Sequence, residues 1–125
     1  MEKTLTIGER RIVLECNAGT SIRYRQKFGR DLMRDMQSVA KGKTSEVTSG
    51  KVNTFFELMY IMALQADLKA IRNGKKAPND VPSEYVDFLE DFEVMPMEEV
   101  IPEVVELWAK AQGTTVEVKK RSGNR

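Results

Sequence analysis

The chain contains no histidine and only one cysteine, Cys16. Without histidine it lacks the side chain most used for acid–base chemistry near neutral pH, and also the commonest metal ligand. A lone cysteine allows neither an internal disulfide nor a thiolate cluster. That economy suits a reducing compartment. Carboxylate chemistry stays open, but an enzyme becomes the less expected class. The glycines form neither a GxGxxG pattern nor a P-loop. The longest apolar run, residues 55–66, is interrupted by Glu57 and Gln65 and is too short to cross a bilayer. The opening MEKTLTIGERR has no apolar stretch of the kind a signal peptide needs. A soluble protein is expected.

What is present is charge, unevenly spread. The 125 residues are 41% hydrophobic and 31% charged, with a net charge of +1. This length predicts one domain, large enough to bury roughly two thirds of its unfolded surface without staples. The small net charge hides a basic N-terminal half, an acidic stretch over 84–106, and a basic ending with Lys119, Lys120, Arg121 and Arg125.

Two short β-rich runs, 4–7 and 11–14, flank Gly8-Glu9-Arg10 and predict a β-hairpin. Thr20 or Ser21 is a suitable N-cap for a first helix reaching residue 39 or 40. Gly29 lies inside that span and implies a close helix approach or a bend. Residues 41–50, KGKTSEVTSG, predict an exposed loop. A second helix from residue 51 or 52 to 71 is apolar almost all round, which predicts a central, buried helix or one with a face for another subunit. Asn73-Gly74 and Pro78 end it. A short third helix is expected over 83–92. A fourth follows Met95-Pro96, with Ile101, Val104, Val105, Trp108 and Ala111 as its apolar set and Gly113 as its stop. Glu98 and Glu99 suit its positive end. Pro102 either kinks this helix or marks its first turn. The expected fold is mainly α: four helices and an N-terminal hairpin in a single domain over 1–113, and a flexible basic tail over 114–125.

The most informative segment is IRYRQKFGRDL, residues 22–32. At helical spacing Tyr24, Phe28, Leu32 and Met36 make an apolar stripe, and Arg23, Lys27, Arg30 and Arg34 make a basic one. Arginines at that spacing can grip phosphates, but the aromatics belong to the core-facing stripe. Asp31 and Asp35 are interleaved with the bases in pairs such as Lys27–Asp31. A protein-docking face is therefore favoured over nucleic acid. The acids Glu84, Asp87, Glu90, Asp91, Glu93, Glu98, Glu99, Glu103 and Glu106 do not form a calcium loop and are read as a surface for a basic partner. Met95 and Met97 flank Pro96 in that acidic setting and are candidates for an exposed contact. No catalytic residue, cofactor or metal site is expected. The candidate partner-binding set is Arg23, Lys27, Arg30, Arg34, Glu84, Asp87, Glu90, Asp91, Met95 and Met97.

The order of these pieces resembles a known family. A hairpin, then SIRYRQKFGRDLMRDMQ, FFELMYIMALQAD, YVDFLEDFE and EEVIPEVVELWAKAQGTT with a basic tail resembles the tail assembly chaperones of long-tailed phages and prophages of Gram-positive hosts. The connection NGKKAPND is longer than that pattern leads one to expect. The resemblance implies a non-enzymatic protein of the host cytoplasm that coats the tape measure protein and recruits tail tube subunits. It also implies self-association and absence from the mature virion, and often a longer frameshifted product. It implies neither nucleic acid nor membrane as a partner. The alternatives are a small phage or plasmid DNA-binding regulator and a structural tail or connector subunit.

Overall fold

The structure, a computed structural model, describes residues 1–41, 49–79 and 84–112, with side-chain surroundings for these except at 38–41 and 49–52. The chain forms strands β1 (Glu2–Ile7) and β2 (Arg10–Glu15), then helices α1 (Thr20–Phe28), α2 (Leu32–Lys41), α3 (Ser49–Arg72), α4 (Tyr85–Glu90) and α5 (Met97–Ala111). It is mainly helical with an N-terminal hairpin, as expected, but the described residues form five helices and not four. The expected loop over 41–50 is shorter at both ends, since α2 closes at Lys41 and α3 opens at Ser49. Its centre and the expected tail over 114–125 lie outside the described residues.

The hairpin is antiparallel, with Ile7 opposite Arg10 and Leu5 opposite Ile12. Its loop is therefore only Gly8-Glu9. Gly8 has φ +62°, and no non-glycine residue among the described residues has a positive φ. This is the arrangement of a two-residue II′ turn, which wants glycine at its first position. Strand alternation turns Leu5, Ile7, Ile12 and Leu14 inward. A two-stranded ribbon is marginal alone. Here β2 packs on α3, and β1 meets α5.

Helix α3 is the centre. Leu58, Met59, Tyr60, Ile61 and Met62 are consecutive and all essentially inaccessible, which is the outcome expected for a helix apolar all round. It touches β2, α1, α2, α4 and α5. The aromatics of α1, α3 and α4, with Phe92 just beyond α4, form a chain of edge-on and tilted contacts: Tyr24–Phe28, Phe28–Tyr85, Tyr85–Tyr60, Tyr60–Phe88 and Phe88–Phe92, with centroids 5.1–5.8 Å apart. Helix α5 turns Val100, Val104 and Leu107 deepest into the core. Of the expected set only Val104 is among these deepest residues; Ile101, Val105, Trp108 and Ala111 flank them, half-buried. Pro102 falls in neither the first turn nor the core, but on the exposed side of the second turn.

The single long first helix is the main correction. Gly29 takes the left-handed conformation (φ +71°, ψ +18°) and its N–H bonds back to Arg25 O at 2.8 Å, closing α1. Asp31 then opens α2: its Oδ1 accepts from the N–H groups of Met33 (3.0 Å) and Arg34 (3.4 Å). At 9 residues α1 is too short to persist alone. It is held by its apolar positions. Tyr24, Leu32 and Met36 are buried on both sides of the break. The apolar stripe is thus real, although the helix carrying it is broken.

Candidate functional site

The break at Gly29 dissolves the expected basic stripe. Arg23 and Lys27 ride on α1, Arg34 rides on α2, and Arg30 sits between the helices. Arg30 turns inward. Its Nη2 donates to Glu57 Oε1 and to the Tyr24 hydroxyl (3.3 Å), and its Nε donates to Asp35 Oδ2 at 3.2 Å. The guanidinium also lies over the rings of Phe28 and Tyr24, 5.7 and 5.8 Å from their centroids.

The reason is Glu57. It projects from the middle of α3 and is only 4% exposed. A buried carboxylate demands charge and hydrogen bonds. It obtains them from Arg30, from Asn53 Nδ2 (3.3 Å), and from the corner around Tyr24. The Tyr24 hydroxyl lies 3.0 Å from both Glu57 Oε1 and Asp35 Oδ2 and donates to one of the two. Burial, offset in part by Arg30 and reinforced by Glu57, holds the Tyr24 phenol well above its ordinary pKa. Burial and Glu57 push Tyr85 up to about 12. Glu57 is the residue that the sequence reading missed as a determinant. Its signal was a lone acid inside a long apolar run.

The expected N-cap at Thr20 or Ser21 is also corrected. Gly19 takes that position and makes no side-chain cap bond. The Thr20 hydroxyl points back into the core, donating to Gln65 Oε1 (2.7 Å) and accepting from the Asn17 N–H (3.0 Å).

The acidic stretch divides into used and unused charge. Glu84 accepts from Lys27 at 3.1 Å. Asp91 pairs with Arg10 at 3.7 Å, and the same guanidinium lies over Phe92. Lys3 on β1 holds Glu103 (2.7 Å) and Glu106 (2.8 Å) on α5. Asp87 is exposed and, with Glu84, adds to the burial that raises the Tyr60 phenol. Glu90, Glu93, Glu98 and Glu99 are exposed and form no ion pair among the described residues. Met97 is 45% exposed beside them, whereas Met95 is half-buried against the core.

Exposed apolar side chains fall inside both charged regions. Ile22 (60% exposed) and Met33 (42%) line a depression of about 350 Å³ between α1 and α2, together with Arg25 and Asp31. Val86 (59%) and Val94 (73%) stand in the acidic stretch with Met97. Among the described residues no group of three or more His, Cys, Asp or Glu side chains converges as a metal site. None of the described helices is long and apolar enough to cross a membrane.

A comparison with protein-family models, with curated proteins and with solved structures returned no match.

Proposed function

We propose that the protein works by docking and is an assembly factor of the tail-chaperone type that its sequence resembles. On this reading it binds the tape measure protein, recruits tail tube subunits and associates with further copies of itself. It acts in the host cytoplasm, without enzymatic chemistry, and is absent from the finished particle. The observation that supports the reading is that exposed apolar side chains sit inside two charged surfaces, one mixed, with Arg25, Arg34 and Asp31, and one acidic. Ile22 and Met33 have Arg25 and Arg34 nearby in the chain, and Val94 and Met97 have Glu93, Glu98 and Glu99. An apolar centre with a charged rim is what protein recognition uses: burial supplies affinity, and the rim selects orientation and partner. Two unlike patches also permit head-to-tail growth, which stays open when the rotation does not close.

The test is co-expression with the tape measure protein encoded by the same genome. We expect a soluble complex that co-purifies, and weaker capture by the R25E/R34E variant. A tape measure protein that stays insoluble and uncaptured would overturn the proposal. A gel shift persisting at physiological salt would favour the DNA-binding regulator instead, and recovery of the chain from purified particles would favour a structural subunit.

A further inference from the structure

Arg23 and Arg72 come from distant parts of the sequence and line one small cleft. Its wall runs from the loop before α1 to the last turns of α3 and contains Asn17, Gly19, Arg23, Gln65, Leu68 and Arg72, around a volume of about 220 Å³. Neither arginine has an acidic partner among the described residues. By contrast, Arg30, Lys69 and Lys3 each meet carboxylates.

The rest of the wall is tied together by hydrogen bonds. Gln65 is 5% exposed and is locked between Thr20 and Asn17: its Oε1 accepts from the Thr20 hydroxyl and its Nε2 donates to Asn17 Oδ1 at 3.1 Å. Asn17 Oδ1 also accepts from the Gly19 N–H at 2.9 Å. Glu15, an acid bonded to this wall through Asn17, is compensated by Lys69 (3.2 Å), by Asn17 Nδ2 (3.1 Å) and by the Met1 ammonium (3.2 Å). Two like charges lining one cleft, with no acid among its lining residues, leave a site for one anion. The cleft exceeds what a bare oxyanion fills, and Leu68 gives it one apolar flank suited to methylene groups.

We propose that this cleft receives a glutamate or aspartate side chain of a protein partner, its carboxylate held between Arg23 and Arg72. This deepens the docking reading and rests on it. It adds Arg72, Asn17 and Gln65, which lie outside the charge pattern seen in the sequence. Guanidinium forks match carboxylate geometry and form the stronger, charge-assisted class of hydrogen bond.

The experiment is a ¹H–¹⁵N NMR titration of the full chain with a terminally blocked hexaglutamate peptide. Blocked hexaglutamine and inorganic phosphate serve as the other arms. We expect saturable shifts at the Gly19 N–H, the Gln65 side-chain amide and the Nε groups of Arg23 and Arg72. R23Q or R72Q should weaken binding about tenfold each, and the double variant should abolish it. Neither arginine has an ion pair to lose among the described residues, and unchanged hairpin resonances in the same spectra verify the fold. Absent shifts, shifts that survive in R23Q/R72Q, or equal shifts with hexaglutamine overturn the proposal. Phosphate reproducing them at equal concentration overturns the protein source in favour of a free anion. A negative titration would leave the assembly reading standing, because that reading is judged by co-purification.

Discussion

The basic segment 23–34 and the acidic segment 84–106 look like mirror images in sequence, and each commits part of its charge internally, but only the basic one sends a charge to a buried partner. Half of the expected basic set is committed internally: Arg30 to Glu57, Tyr24 and Asp35, and Lys27 to Glu84. In the acidic segment Glu90, Glu93, Glu98 and Glu99 remain at the surface without an ion pair among the described residues. The difference comes from the backbone. The turn at Gly29 swings Arg30 inward toward a buried acid, whereas α4 and α5 keep their acids between apolar positions that face the core. Charge counted along a chain is therefore not charge available for binding.

The deepest test of this contrast is Arg30→Met. It keeps some of the stacking over Phe28 and leaves Glu57 as a buried carboxylate without its cation. Removing one partner of a buried pair costs about 3–5 kcal/mol, and Arg30's own partial exposure places this case near about 3 kcal/mol. E57Q should cost less, and R30M/E57M should recover part of the loss, because both charges then leave together. Urea unfolding measures all three. A cost below about 1 kcal/mol for Arg30→Met would place Arg30 with the surface charges and erase the contrast.

Gly29→Ala tests the turn itself, and the sign decides. In a continuous helix this change stabilises by up to about 1 kcal/mol. At φ +71° an added Cβ meets no neighbouring atom within 4 Å, so the cost is purely conformational, about 1–2 kcal/mol of destabilisation. A raised Tm would restore the unbroken helix.

The same glycine marks the limit of what the sequence disclosed. The hairpin, the central helix, the Asn73-Gly74 stop and the acidic first turn of α5 all follow from local chemistry, and all are present. The apolar stripe Tyr24–Phe28–Leu32–Met36 was legible even across the break, because burial depends on where side chains point and not on continuous hydrogen bonding. The turn was not legible, since glycine is compatible with both a close helix approach and a left-handed cap. The candidate site was less legible still. Arg30's partner is 27 residues away, and the cleft joins Arg23 to Arg72 across two elements. Such pairings are fixed by tertiary packing alone. Glu57 and Gln65 were visible as breaks in an apolar run, but the run does not say what each must meet.

A smaller effect separates the hairpin from both segments. Burial raises the Glu15 pKa, but hydrogen bonds from Asn17, the Met1 ammonium and Lys69 outweigh it and hold the carboxyl below its ordinary value. A lowered folded-state pKa means that the unfolded chain takes up protons first. The stability from Glu15 is thus complete above the ordinary carboxylate range and is lost as pH falls through it toward the folded value. We expect E15Q to flatten this part of the acid limb in stability measured from pH 7 to pH 3. An unchanged slope would show that the acid limb comes from the surface pairs instead.

The smallest effect is expected at Lys27 and Glu84, and it sharpens the comparison most. Their side chains are 34% and 66% exposed, so solvent screens the pair. K27Q should cost about 0.5 kcal/mol or less. The swap K27E/E84K should restore even that. Lys27 would then be free to exchange Glu84 for an acid on a partner at little cost, unlike Arg30, whose release strands Glu57. A loss above about 1 kcal/mol for K27Q would mean that Lys27 anchors the start of α4 to α1. Lys27 would then join Arg30 as an internal strut. Only Arg23, Arg25 and Arg34 of this region would be left to face a partner.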